Sequence, residues 1–258
     1  MTKVGAQVGP LVGARVGYEL GVPAVVLQPI DHLLAAPGAF GLWDVSNAAS
    51  RTLRADAGTD YVAALADLLA GRSMAAPDAN QPAFDVEDAV FDGTADYLTL
   101  VSAAFSVFGA GASFSLMVVS QRVAAAAATR ALASLSNTAN NTDYTYLGVT
   151  STGLDFATRA NSVGSASDNG LAVDTSYRVR TLVVTGTTAR SWIDGALSCE
   201  AALTHTHAVN AFSVGARVRA AAPVAFNACR ARGWLLASQA WTDEERALLE
   251  GYAADHWI

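Results

Sequence analysis

Glycoside hydrolysis needs two carboxylates flanking the scissile bond, and alternation along a strand brings such a pair to one face. Asp85, Glu87 and Asp88 come nearest to that requirement in this chain. The reading that fits them best is a solvated strand start. His205-Thr206-His207 would turn two imidazoles one way in a strand, and three copies around an axis could then hold a metal. A solvated loop is the stronger reading. His32 and His256 have no partner at ligand spacing. Asp92 and Asp194 each precede a glycine, which suits hairpin turns better than calcium ligation. Trp192 and Trp234 sit within apolar runs and read as core; Trp241 is the better candidate for exposure and sugar stacking, with a helix staple as its alternative. Cys199 and Cys229 could bridge if their strands are neighbours, and two buried free thiols are the plainer reading. No Ser-His-Asp or Cys-His set can be placed. The expectation is no catalytic residue, no metal and no cofactor, with the ligand-binding residues unassigned.

The elements that must position these residues are mostly strands. Phe40 to Val45 is a short first strand. Tyr61 to Ala70 fits a helix by propensity, capped by Asp60 and ending at Gly71. Asp85 to Val101 predicts a hairpin turning at Asp92-Gly93. Phe114, Leu116 and Val118 alternate with Ser113, Ser115 and Met117, as in a half-buried strand. Asn137 to Asp143 (NTANNTD) is a polar loop. Tyr144 to Val149, Leu154 to Ala160, Tyr177 to Val183, Arg190 to Ile193 and Phe212 to Val218 continue the series. Gly, Asn and Asp turns separate them. Short strands at this spacing predict an antiparallel sandwich. Gly233 to Ala237 reads as a strand buried on both faces and closing the sheet. Thr242 and Glu245 form a capping box that starts a terminal helix, whose apolar side carries Leu248, Leu249, Tyr252 and Ala253.

Composition narrows the classes further. The 258 residues are 52% hydrophobic and only 15% charged, which hints at surface buried in an assembly. Net charge is -7, which argues against a nucleic-acid groove. No apolar run of about 18 residues predicts membrane insertion, and the N-terminus lacks the pattern of a secretory signal. Of the 16 Lys and Arg residues only Lys3 is lysine. Gly5, Gly9, Gly13, Gly17 and Gly21 recur every fourth position, each preceded by Val4, Val8, Val12, Val16 or Leu20. Whether a helix with a flat glycine ridge or an extended chain with its valines on one face, this segment cannot bury its valines alone and calls for a partner surface; a disordered tail is the alternative reading. Pro23, Pro29 and Pro37 then mark a linker. The expected division is an anchor and linker over 1-36 and a β domain over 37-258.

Three pieces carry a family resemblance. They are Phe91-Asp92-Gly93-Thr94-Ala95-Asp96-Tyr97-Leu98, Ser191-Trp192-Ile193-Asp194-Gly195, and the run from Gly233-Trp234 through Trp241-Thr242-Asp243-Glu244-Glu245-Arg246 to Gly251-Tyr252 and His256-Trp257. In order and spacing they resemble laminin-G-like, concanavalin A-like jelly rolls of phage structural proteins. The resemblance spans roughly Phe40 to Ile258. It implies an all-β, antiparallel jelly-roll sandwich with a short C-terminal helix and an extended N-terminal anchoring segment. The same resemblance implies a strand and a loop, rather than a helix, over Tyr61 to Ala70, with Pro77 to Pro82 as the usual lead into the next strand. It also implies a virion fibre, spike or decoration protein, assembled in the bacterial cytoplasm. Such a protein would be homo-oligomeric, joined to other virion proteins through its N-terminal segment, and in contact with host-surface polysaccharide. Related glucanases carry E-x-D-x-x-E on one strand. None of Glu19, Glu87, Glu200, Glu244, Glu245 and Glu250 begins that pattern, so no enzyme is expected. The rival readings are a carbohydrate-binding module of a bacterial cell-surface protein and a polysaccharide-degrading enzyme.

Overall fold

The computed structural model describes residues 27–123, 130–149, 155–157, 159–160, 163–165, 176–186, 188–202, 208–220 and 222–258. The Val-Gly repeat, the alanine run at 124–128, most of the expected turn at 165–170 and the His205-Thr206-His207 motif lie outside them. A first helix, α1, is Pro29–Leu34. The strands are β1 Ala39–Asp44, β2 Arg51–Asp56, β3 Thr59–Ala66, β4 Ser73–Ala75, β5 Ala83–Asp85, β6 Asp88–Asp92, β7 Leu98–Val101, β8 Phe114–Arg122, β9 Arg130–Ser136, β10 Tyr144–Val149, β11 Asp155–Ala157, β12 Arg159–Ala160, β13 Val163–Ser165, β14 Arg178–Thr185, β15 Thr188–Ile193, β16 Ala196–Ala202, β17 Ala211–Val214 and β18 Ala228–Ala237. Helix α2, Asp243–Trp257, follows them.

Among the described residues every strand pairing is antiparallel, and the result is a β-sandwich. The main sheet is one continuous hydrogen-bonded path folded on itself: β6-β18-β8-β14-β15-β16 makes one layer, with β1 also beside β18, and β11-β10-β9-β17-β7-β4-β3 the other, the two joined through β5. The period of two decides what each strand buries. Trp43 pairs with Trp234, and both face the other layer, where the Trp43 ring stacks on Phe212 at 4.9 Å. Leu42 and Leu235, one residue away, face outward with Met117 and Val119.

That outward face is not solvated. Helices α1 and α2 cover it, and Leu33, Leu249, Ala253 and Trp257 pack there. Strand β8 is therefore buried on both faces, not half-buried as its alternation with serine and methionine suggests. Residues 29–36 also differ from the expected linker. Pro29 opens α1 at a position where a missing N–H costs nothing. Leu33 and Ala36 are buried, and His32 stacks flat on Tyr252 of α2 at 4.0 Å.

Two connections depart from expectation. Strands β6 and β7 do not pair with each other: β6 lies against β5 and β18, whereas β7 lies against β17 and β4. The Asp92-Gly93 turn thus carries the chain between layers, and the true hairpin is β5–β6, where Asp85 faces Asp88. Strand β18 is central rather than closing, with β8 on one side and β6 and β1 on the other. The expected strand at 61–70 is present as β3.

The cap of α2 forms as its sequence requires. Thr242 Oγ1 accepts from Glu245 N at 3.2 Å, and Glu245 Oε2 accepts from Thr242 N at 2.8 Å. Leu248 points to solvent, while Leu249 and Ala253 face the sheet. Thr242→Ala should lower unfolding free energy by about 1 kcal/mol, read from a urea titration.

Candidate binding face

Most residues singled out for chemistry are engaged in holding the fold. Asp88 is buried, contrary to a solvated strand start. Its carboxylate accepts from Arg232 Nε at 2.9 Å and Arg230 Nη1 at 3.1 Å. Asp85 pairs with Arg230 Nη2 at 2.6 Å, and Glu87 sits exposed in the turn between them. Arg232 also lies over the Tyr177 ring at 4.1 Å. Burial and the Asp88 charge push the Tyr177 hydroxyl up to about 12. These carboxylates face cations, not a cleft.

Trp234 is core, as expected, and Trp192 is buried beneath the Arg246 guanidinium at 4.5 Å. Trp241 is buried too, and its Nε1 donates to Pro37 O at 2.9 Å. It offers no ring to a sugar. His256 does have a partner: Nε2 stands 2.9 Å from Asp44 Oδ2.

Cys199 and Cys229 are both buried and are not joined in a disulfide. Between them in the layer lie β8, β14 and β15. Four strand spacings of about 4.8 Å put them roughly 19 Å apart, well beyond disulfide reach. Burial pushes the Cys229 thiol up to about 12 although Arg180 and Arg122 pull the other way, so it stays protonated.

Asp194 occupies its turn with φ 48° and accepts from Val179 N at 2.8 Å and Arg178 Nη1 at 2.7 Å. Asp92 accepts from the N–H groups of Thr94, Ala95 and Asp96, which organise the loop between layers. Asp96 Oδ2 in turn accepts from Asp92 N at 3.0 Å. Burial, helped by the Asp92 charge, raises the Asp96 pKa to about 6 in spite of that bond. The folded value lies above the unfolded one, so this contribution to stability is full below about pH 4 and lost as pH rises through about 6. Asp96→Asn should flatten the change in urea midpoint between pH 4 and pH 7.

A different set of residues gathers on the outward face of β9, β10 and β17. Register places Tyr144 opposite Ser136, Tyr146 opposite Ser134, and Ser134 opposite Ser213, on the face of these strands away from Leu135 and Phe212, and all five are buried. Ser134 Oγ and Ser213 Oγ are 2.8 Å apart. The segment after β17 folds back over this face. It is pinned by Ser136 Oγ donating to Val218 O at 2.5 Å and by a bridge in which Arg217 and Val224 exchange backbone bonds of 2.8 and 2.9 Å. Arg217 is thereby laid over the Tyr144 ring at 3.8 Å, with Tyr146 at 5.8 Å. Arg219, two residues on, donates to Asn141 O at 3.3 Å.

The Asn137 to Asp143 loop forms the rim beside them. Asn140 Oδ1 accepts from Thr142 N and Asp143 N, and Asn210 Oδ1 accepts from Thr138 N. Ala220 N donates to Asn140 O at 3.0 Å and joins the two loops. The result is a fixed edge of amides, hydroxyls and two guanidinium groups. Among the described residues no group of three or more His, Cys, Asp and Glu could hold a metal, and no helix is long and apolar enough to cross a membrane.

Solved structures place this architecture. The chain is similar to Trypanosoma rangeli sialidase in complex with sialic acid, with TM-score 0.62 and 11% identity over 88% of this chain and 37% of that one. It is also similar to the Ruminococcus gnavus IT-sialidase CBM40 bound to alpha2,3 sialyllactose, with TM-score 0.54 and 12% identity over 64% of this chain and 96% of that one. The fold is an antiparallel jelly-roll β-sandwich. This chain therefore spans a little over a third of the sialidase and nearly all of the module. No family model and no curated protein matches the sequence.

The sequence identified the loop at 137–143 but not its neighbours. Arg217 and Arg219 stand some 80 positions away with no motif around them. Their one legible signal is an alternation of arginines beside a strand end.

Proposed function

We propose that this domain is a carbohydrate-binding module that holds a glycan at the rim formed by the 137–143 loop, Arg217 and Arg219. The observation that carries the reading is the rim itself. It is a polar edge held by its own hydrogen bonds and rich in the donors and acceptors that read sugar hydroxyls. The likeness in fold to a module bound to sialyllactose supports it. The reading is of binding without hydrolysis, because Asp85 and Asp88 are committed to Arg230 and Arg232.

The virion role implied by the sequence resemblance draws no support from these structures, which are sialidases and a binding module. The alternative, a module of a surface protein, agrees with them better. Glycan-array binding by the full chain tests the reading. Retention of at least one glycan is expected, weakened by Thr142→Ala, with no release of reducing sugar. An array without a single hit would overturn it.

A further inference from the structure

We propose that Arg217 and Arg219 form an anion site, so that the glycan held at this rim is an acidic sugar bearing a carboxylate or a sulfate. The inference rests on the glycan-binding reading above and adds the charge of the ligand.

Among the described residues the two guanidinium groups differ from seven others. Arg54, Arg72, Arg178, Arg190, Arg230, Arg232 and Arg246 each stand within ion-pair distance of an Asp or Glu. Among the described residues no carboxylate lies that close to Arg217 or Arg219. The acid of the adjoining loop, Asp143, accepts from Asn140 Nδ2 at 2.8 Å and from Thr142 Oγ1 at 3.2 Å instead. The Nε atoms of both arginines are buried without a hydrogen-bond partner. Burying cationic donors unpaired is unfavourable, and here two like charges adjoin one another. Burial lowers the Arg217 pKa, and the Arg219 charge lowers it further. An anion against the outer side of the two guanidinium groups would offset their shared positive charge.

The geometry also prepares the donors. Stacking on Tyr144 fixes the plane of the Arg217 fork, so little rotamer freedom is left to lose on binding. A planar guanidinium matches a carboxylate or sulfate in two parallel bonds. A nucleic acid would need many more phosphate contacts than two arginines supply, in a chain of net charge -7.

The test is calorimetry of the full chain against matched pairs: 3′-sialyllactose and lactose 3′-sulfate against lactose. A wider panel of acidic and neutral partners would follow. The acidic members should bind at least about ten-fold more tightly, and rising salt should weaken them selectively. Arg219→Glu should abolish acidic binding at an unchanged melting temperature. Arg217→Lys, which keeps the charge and loses the planar fork, should weaken it about five-fold or more. Neutral sugars binding as well as acidic ones, with Arg219→Glu silent, would overturn the inference and leave the glycan-binding reading standing. If no member of the panel binds, both fall.

Discussion

Asp44→Ala should lower the unfolding free energy by about 3 kcal/mol or more, with the C-terminal helix released from the sandwich. Asp44 ends β1 and is buried. It accepts four hydrogen bonds: Ser46 N at 2.9 Å, Ser46 Oγ at 2.6 Å, His256 Nε2 at 2.9 Å and Trp257 Nε1 at 3.0 Å. Two of these come from the last turn of α2, more than 200 residues along the chain. Alanine would leave the Trp257 N–H buried without an acceptor. Asparagine keeps one acceptor oxygen and should cost less. Burial works to raise the Asp44 pKa, but hydrogen bonds from His256, Ser46 and Trp257 together overcome it and hold the carboxyl below its ordinary value. The folded value is thus below the unfolded one. The stabilisation is present above about pH 4 and disappears as pH falls through the folded pKa. Urea titrations at pH 7 and pH 3 would measure both effects. A loss under about 1 kcal/mol at pH 7 would mean the carboxylate does not hold the helix.

The second large effect is expected at Gly233. A Cβ there would stand 2.2 Å from the Trp257 ring, so the glycine makes the seat for that indole. Gly233→Val should expel the ring and cost about 3–5 kcal/mol, close to the cost of Trp257→Ala. The two changes remove one interaction and should not add. Gly233→Val in a Trp257→Ala background should therefore cost far less than in the parent. Full additivity in denaturant melts would show that the ring is not seated there.

What the sequence disclosed, it disclosed locally. The capping box at Thr242 and Glu245 needs only residues three apart, and it forms as read. The turn at Asp194-Gly195 joins β15 to β16 for the same reason. The all-β sandwich followed from strand and turn spacing. What failed depended on distant covers. Trp241 looked exposable because the carbonyl that receives its N–H belongs to Pro37. Asp88 looked solvated because Arg230 and Arg232 lie more than 140 residues away. Strand β8 looked half-buried because two helices from opposite ends of the chain cover its second face. The candidate rim shares this character. Its loop is plain in NTANNTD, but the arginine laid over Tyr144 is positioned by a fold-back that no spacing rule describes.

The placement of those two helices gives the domain a direction. Both α1 and α2 lie on the outer face of the layer containing β8 and β18, while Tyr144 and Arg217 lie on the outer face of the opposite layer. Two sheet layers, packed about 10 Å apart, separate them. Anything joined after α2 would leave on the far side from the rim. Copies carried side by side on a common support would then all point their rims outward. Weak sites arrayed in this way gain strength through effective concentration, without any new contact at each site.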